Sequence, residues 1–274
     1  MLKRTITGAI IIVATVLAFF LRTIDVRFFD LFALILSVMG CYELTKALGD
    51  KITKEQKIIA LAFSVMVIPF AVFLPSFLTL FILVYTAITL LASVFLKGSS
   101  IEKMGYTLLS LFYPTLVLLF LTLINHLGAY ALFGLVIVFA TSYSTDTMAY
   151  LVGSKFKGKK LCPTISPNKT VSGAVGGIIG GVLGGILTYY AFKWIKISPF
   201  ELKNEINAII FLITSGMVLS AVTQFGDLFE SFLKRNLGVK DMGSLLPGHG
   251  GILDRVDGLM FTALFVFVFY SFLV

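Results

Sequence analysis

Residues 231–257 read SFLKRNLGVKDMGSLLPGHGGILDRVD, with Asp227 four residues upstream. Four carboxylates, Asp227, Asp241, Asp254 and Asp257, stand among four cations, Lys234, Arg235, Lys240 and Arg255. Carboxylate oxygens are hard donors that suit Mg²⁺. Arginine and lysine bind phosphate oxygens through charge-assisted hydrogen bonds. Gly248, Gly250 and Gly251 leave room for backbone amides to approach an anion. His249 stands between those glycines, where it can contact a phosphate or simply hold the loop. Together these side chains are the equipment of phosphate chemistry.

A second constellation lies upstream. Asp146 sits in Tyr143–Tyr150, and Ile165–Gly173 reads ISPNKTVSG. Ser166 and Thr170 can donate hydrogen bonds to phosphate, and Lys169 supplies charge. The plain structural alternative is a helix start, with Ser166 as N-cap and Pro167 at the first helical position. Both readings are compatible, because a capped helix N-terminus is itself an anion site. Neither the GxxxxGK[ST] phosphate loop nor a dinucleotide GxGxxG turn occurs.

The elements that must hold these residues are membrane spans. The chain is 274 residues long, 58% hydrophobic and only 13% charged, against ~25% charged for soluble domains. Mean hydropathy is +1.00. Nine apolar segments are expected to be helices: 5–22, 28–48, 57–74, 77–96, 104–124, 128–150, 171–192, 205–226 and 259–274. The fold class predicted is therefore all-α and polytopic. Short alternating segments that would mark a β-barrel are missing, and no polar block reaches the ~50 residues of a soluble domain. Residues 1–100 read as a transmembrane scaffold. Residues 101–274 read as the catalytic region, with polar connections at 151–170 and 227–258. The basic, apolar start has no small-residue cleavage site after it and reads as a retained first span. Cys41 and Cys162 form neither a disulfide framework nor a zinc spacing.

In an apolar chain of this kind, a dense ionisable cluster marks a functional site by default. Asp227 closes the eighth span and Asp254 opens the ninth, so consecutive antiparallel spans can bring them together as metal ligands. Asp257, three residues beyond Asp254, shares its helix face and serves as a further ligand. A helix-end ion pair is the structural alternative. Counting connections alternately, 17 of the 22 lysines and arginines fall on one side, which the positive-inside rule assigns to the cytoplasm. Both long polar connections fall on that side. The site is expected as a cavity at the cytoplasmic edge of the bilayer, in which Asp146, Asp227 and Asp254 converge. In the seventh span, glycines at 173, 177, 181 and 185, and at 176, 180 and 184, make a small face for close helix packing. Asp30 and Glu43 lie inside apolar runs, and the sequence assigns neither a role.

Taken in order, Ser231, Lys234-Arg235, Lys240-Asp241, Gly243, Pro247, His249-Gly250-Gly251, Asp254-Arg255 and Asp257 resemble the signature of the phosphatidate cytidylyltransferase family. The upstream segments are similar to that family's Asp-x-x-Ala-Tyr and Ser-Pro-Lys-Lys-Thr motifs, with Asn168 in place of a lysine and Ser172 in place of a glutamate. The resemblance implies a membrane enzyme that joins CTP and phosphatidic acid into CDP-diacylglycerol and pyrophosphate with Mg²⁺, leaving a second cation and a homodimer open. It implies catalytic roles for Asp227, Lys234, Arg235, Asp254, Arg255 and Asp257, the three aspartates being the metal ligands. It implies substrate contacts from Asp146, Ser166, Lys169, Thr170, Lys240, Asp241 and His249. An inner or cytoplasmic membrane location follows from the same reading, with the active site facing the cytoplasm and no nucleic-acid partner. A CTP-dependent polyprenol or phytol kinase is the rival enzyme. A cation-coupled carrier using the intramembrane aspartates is the rival from another class.

Overall fold

The computed structural model describes residues 2–197, 205–248 and 250–271. The helices are α1 (Leu2–Arg22), α2 (Arg27–Leu48), α3 (Lys54–Phe73), α4 (Leu78–Phe95), α5 (Ile101–Ser110), α6 (Val117–Asn125), α7 (Ala131–Phe156), α8 (Val171–Trp194), α9 (Glu205–Leu237) and α10 (Leu253–Ser271). Among the described residues one hairpin, β1 (Lys160–Cys162) antiparallel to β2 (Ser166–Thr170), precedes α8. A helix occupies each of the nine segments expected as spans, over its described residues and to within a residue or so at the ends. Among the described residues seven helical segments are long and apolar enough to cross a membrane, with α5 and α6 counted as one. The apolar part of α1, Ile6–Arg22, is shorter, and α10 carries Asp254, Arg255 and Asp257 at its start. The protein is thus an integral, predominantly helical membrane protein.

Contacts divide the chain into two compact units. One comprises residues 1–123 and 237–255, the other 124–236 and 256–274. In the first, α2 packs against α1, α3 and α5, and α3 packs against α4 and α5. Phe29, Leu44, Phe63, Leu111 and Leu118 are fully buried there. Helix starts are defined by local chemistry. Thr53 and Gln56 form a reciprocal capping box on α3, and the Ser100 hydroxyl accepts from the Lys103 amide at the start of α5. The buried hydroxyls of Ser64, Thr107 and Ser110 donate to carbonyls of their own helices at 2.8–3.0 Å. In an apolar span that satisfies a polar group without a neighbour's help. α5 and α6 are separated at Pro114, before which Tyr113 is extended (φ −117°, ψ 119°), the conformation that a following proline favours. Asp30, buried near the start of α2, faces the Arg22 guanidinium.

In the second unit the glycines of α8 seat it on α7. A Cβ at Gly176 would press on Val152, and one at Gly180 would lie 2.6 Å from Met148 Cβ. Hydroxyls join the neighbouring helices. Thr145 Oγ1 donates to Ser220 Oγ (2.9 Å), which donates to the Gly177 carbonyl (2.8 Å), tying α7, α9 and α8. Ser142 donates to Thr262 Oγ1 (3.1 Å), which lies 2.7 Å from Thr223 Oγ1, tying α7, α10 and α9. Without a hydrophobic force between helices in lipid, close backbone approach and such bonds carry association.

Two expectations need correction. α9 runs to Leu237, so Asp227, Glu230, Lys234 and Arg235 lie on its last turns and not in a connection. Apolar periodicity stops at 226, yet the backbone ladder continues as far as Gly238, whose φ of +71° suits a helix terminus. Ser166 does not cap α8. It sits on β2, and Thr170 is the cap, its hydroxyl accepting from the Gly173 amide at 3.1 Å. The extended backbone of β2 keeps Ser166 and Pro167 out of the helix, which starts at Val171 where the apolar segment was expected to begin.

Candidate active site

The second unit holds a cavity of about 490 Å³. α7 contributes Asp146, Tyr150 and Gly153 to its lining; the hairpin gives Asn168 and Lys169; the start of α8 gives Thr170 and Gly173; and α9 gives Gln224 and Asp227. Lys169 Nζ and Asp227 Oδ2 form an ion pair at 2.5 Å, with the two side chains 23% and 35% exposed. The hairpin therefore delivers a cation to a carboxylate on α9. Gly153 and Gly173 allow α7 and α8 to approach beside the Thr170 hydroxyl, since a Cβ at Gly153 would come within 3.0 Å of it. Gln224 Nε2 donates to the Ala174 carbonyl at 3.2 Å, fixing α9 against the first turn of α8. That first turn presents backbone amides at a positive dipole end, an environment that favours an anion. Four residues singled out from sequence, Asp146, Lys169, Thr170 and Asp227, thus share one volume. Ser166 is outside that lining.

One turn beyond Asp227 on α9, Glu230 is fully buried and accepts a hydrogen bond from Lys234 Nζ at 2.7 Å, four residues on. Asp257 on α10 faces Asp227, Glu230 and Lys234, and its Oδ1 accepts from the Gly258 amide. The approach of the two helices depends on glycine, because a Cβ at Gly226 would lie 2.6 Å from the Asp257 carbonyl. Arg235 points elsewhere, its Nε donating to the Ile165 carbonyl of the hairpin turn at 3.2 Å. The result is an acid cluster with internal counter-ions, Lys169 on Asp227 and Lys234 on Glu230.

The remaining signature residues belong to the first unit. Asp254 Oδ2 accepts from the amides of Gly251 (2.7 Å) and Met242 (3.1 Å), closing the 242–251 loop on the first turn of α10. The Leu246 amide donates to the Gly250 carbonyl across this loop. Met242 is buried inside it, whereas Lys240, Asp241 and Arg255 are exposed. His249 lies outside the described residues. Sequence reasoning missed one carboxylate, Glu230, and noted another, Glu43, without a role. The first had a local signal, the Glu-to-Lys spacing of four on a helix. The second had none, because Glu43 meets residues some 200 positions away: its Oε2 accepts from the Leu253 amide at 3.0 Å.

As a metal centre, this donor set is partial. Among the described residues no three histidine, cysteine or acidic side chains gather into a cage. Hard carboxylate oxygens without a closed cage fit Mg²⁺, which takes one or two carboxylates and completes its shell with water and substrate phosphates.

The sequence model of the cytidylyltransferase family matches residues 2–273. Over 165 residues the chain is 38% identical to a phosphatidate cytidylyltransferase of Brucella abortus, covering 60% of this chain and 57% of that protein. It is 34% identical over 166 residues to the Bacillus subtilis protein of that name, covering 61% and 58%. It is 35% identical over 135 residues to the one from Rickettsia conorii, covering 49% and 56%. These alignments span 56–58% of the relatives' own lengths. With a family match along nearly its entire length, on a helical membrane scaffold that carries phosphate-type side chains, the chain belongs to the cytidylyltransferase family.

Proposed function

We propose that this protein is a phosphatidate cytidylyltransferase, which transfers the cytidylyl group of CTP to phosphatidic acid and releases pyrophosphate. The observation that carries this reading is the Lys169–Asp227 pair inside a cavity at the capped start of α8. It puts a cation, a carboxylate and a helix N-terminus around one volume. Family membership and the names of the relatives agree with it.

In this reaction a phosphate oxygen of the lipid attacks the α-phosphorus of CTP. The bond from that phosphorus to the bridging oxygen of the β-phosphate breaks, and pyrophosphate leaves. The attacking phosphate monoester is already anionic, so no strong base is required. The barrier lies in bringing two polyanions together, which calls for preorganised positive charge. Lys169, Thr170 and the α8 amides bind phosphate oxygens. Lys234 adds positive charge on α9, and Arg255, as the family resemblance implies, would offer a bidentate phosphate contact. As the family resemblance implies, Asp227, Asp254 and Asp257 would hold Mg²⁺, which would supply charge neutralisation at the phosphates. Lys169 pairs with Asp227, and a bound phosphate would compete for the same lysine. Phosphatidic acid keeps its chains in hydrocarbon, where each buried CH₂ contributes ~0.8 kcal/mol, so only its headgroup has to enter the site.

The purified protein, given phosphatidic acid, Mg²⁺ and CTP labelled at the α-phosphorus, is expected to place label in the lipid and release pyrophosphate. Label retained in CDP, with the γ-phosphate on a polyprenol or other lipid alcohol, would instead identify a lipid kinase. Absence of any nucleotide turnover would leave no support for either enzyme.

A further inference from the structure

Glu43 sits in the last third of α2, inside an apolar span, and is 1% exposed. A carboxylate in such a place is costly unless its interactions compensate. What surrounds this one is the backbone of the signature loop. Its Oε2 accepts from the Leu253 amide at 3.0 Å, and the carboxylate faces the amides of Leu245 and Ile252 as well. Two signature glycines close over it: a Cβ at Gly243 or at Gly251 would collide with the carboxylate itself.

One turn earlier on α2, Gly40 leaves room for the fully buried Leu253 side chain, whose Cδ2 would lie 3.0 Å from a Cβ placed there. Leu253 is the first residue of α10, so its amide is one of the donors that a helix cannot satisfy internally. α2 therefore grips the start of α10 twice, by shape at Gly40 and by charge at Glu43. An anion at this end also complements the helix dipole. The next residue is Asp254, whose Oδ2 holds the amides of Met242 and Gly251. On the far side of the loop, Thr7 Oγ1 of α1 donates to the Pro247 carbonyl at 2.9 Å.

We propose that Glu43 is a positioning residue: a buried cap, supplied by α2, that fixes the start of α10 and the 242–253 loop and thereby sets the orientation of Asp254 and Arg255. The steric silence of Gly243 and Gly251 is then explained by the carboxylate beneath them. The consequence for turnover rests on the function proposed above; the consequence for loop order does not.

The test uses the full chain in detergent, with hydrogen exchange followed in peptides covering 241–255 and, as internal reference, 171–194. Glu43→Ala is expected to speed exchange in 241–255 by roughly tenfold or more, as for the loss of a charge-assisted hydrogen bond, and to leave 171–194 unchanged. Glu43→Gln keeps a carbonyl acceptor but loses the charge, so its exchange rate should fall between those of the native protein and Glu43→Ala. Gly251→Ala should loosen the same loop. Adding Glu43→Asp to it retracts the carboxylate, makes room for the new Cβ and should restore protection, a coupling expected only of groups in contact. That pair keeps the test decisive should Glu43→Ala fail to fold. In the lipid assay, Glu43→Ala should lower kcat more than it raises the KM for CTP. Unchanged exchange at 241–255, loosening of both regions alike, or independent effects of the substitutions at 43 and 251 would overturn the proposal. A native protein that turns over no CTP would refute the proposed function and leave the exchange result to decide the role of Glu43.

Discussion

Asp227 and Asp254 carry different burdens, and substitution separates charge from structure at each. Asp227 is paired with Lys169, while Asp254 holds two loop amides through one oxygen. An asparagine at either place keeps a carbonyl oxygen of nearly the same shape. Asp254→Asn can thus retain both amide bonds and lose only the negative charge. With the proposed metal role, Asp227→Asn and Asp254→Asn should each lower turnover by at least ~10²-fold. Size-exclusion profile and helical circular dichroism should stay native. Chelation of Mg²⁺ should abolish turnover of the native protein, with recovery on adding the ion back. A variant with near-native activity at low Mg²⁺ removes that aspartate from the metal set.

At the level of elements, the α7–α8 pair is the platform for the cavity, and its geometry rests on the missing side chains of α8. Gly180 faces Met148 and the Ser144 carbonyl, Gly176 faces Val152, and Gly181 faces Thr145 and Ser220. The neighbours include backbone atoms and the branched Cβ of valine, which cannot swing aside. Gly180→Val should cost ~1–3 kcal/mol through overpacking. A lower thermal midpoint in detergent, together with weaker CTP binding, is the expected signature, because Lys169, Thr170 and Gly173 sit at the end of the same pair. Gly128, where a Cβ would meet nothing within 4 Å but φ is +60°, is a useful contrast: alanine there brings backbone strain without crowding the cavity. A Gly180→Val protein with native stability would show that α7 and α8 do not need this contact.

For the whole molecule, the decisive property is charge placement along the chain. If all nine segments cross the membrane, 17 of the 22 lysines and arginines fall on one side of the alternating connections. The positive-inside rule then predicts that the hairpin region 151–170 and the loop after α9 both face the cytoplasm, where CTP is found. Single cysteines placed at Lys159 and at Ser244, in a background lacking Cys41 and Cys162, should react with an impermeant thiol reagent from the same side of sealed, oriented vesicles. Reaction from opposite sides would break the alternating count of spans. Cys41 is buried and Cys162 half-buried, so the background substitutions should be small residues such as alanine or serine.

Composition and local spacing by themselves determined that this is a helical membrane protein, that its polar chemistry gathers in two segments, and that the glycines of α8 serve close packing. These follow from properties that short-range sequence encodes: apolar length, charge sign and side-chain size. The places where polar residues extend a helix or shift its cap were beyond such rules. α9 continues through its charged end because Glu230 and Lys234 satisfy each other along the helix. α8 is capped by Thr170 and not by Ser166 because β2 pairs with β1 and keeps Ser166 extended. Only the tertiary structure decided the partners of the half-buried Asp227 and the buried Glu43. Lys169 meets Asp227 across 58 positions and Glu43 meets Leu253 across 210, and nothing local to either residue names the other. A buried charge must find its compensation wherever the fold brings a donor, so its role is written in three dimensions.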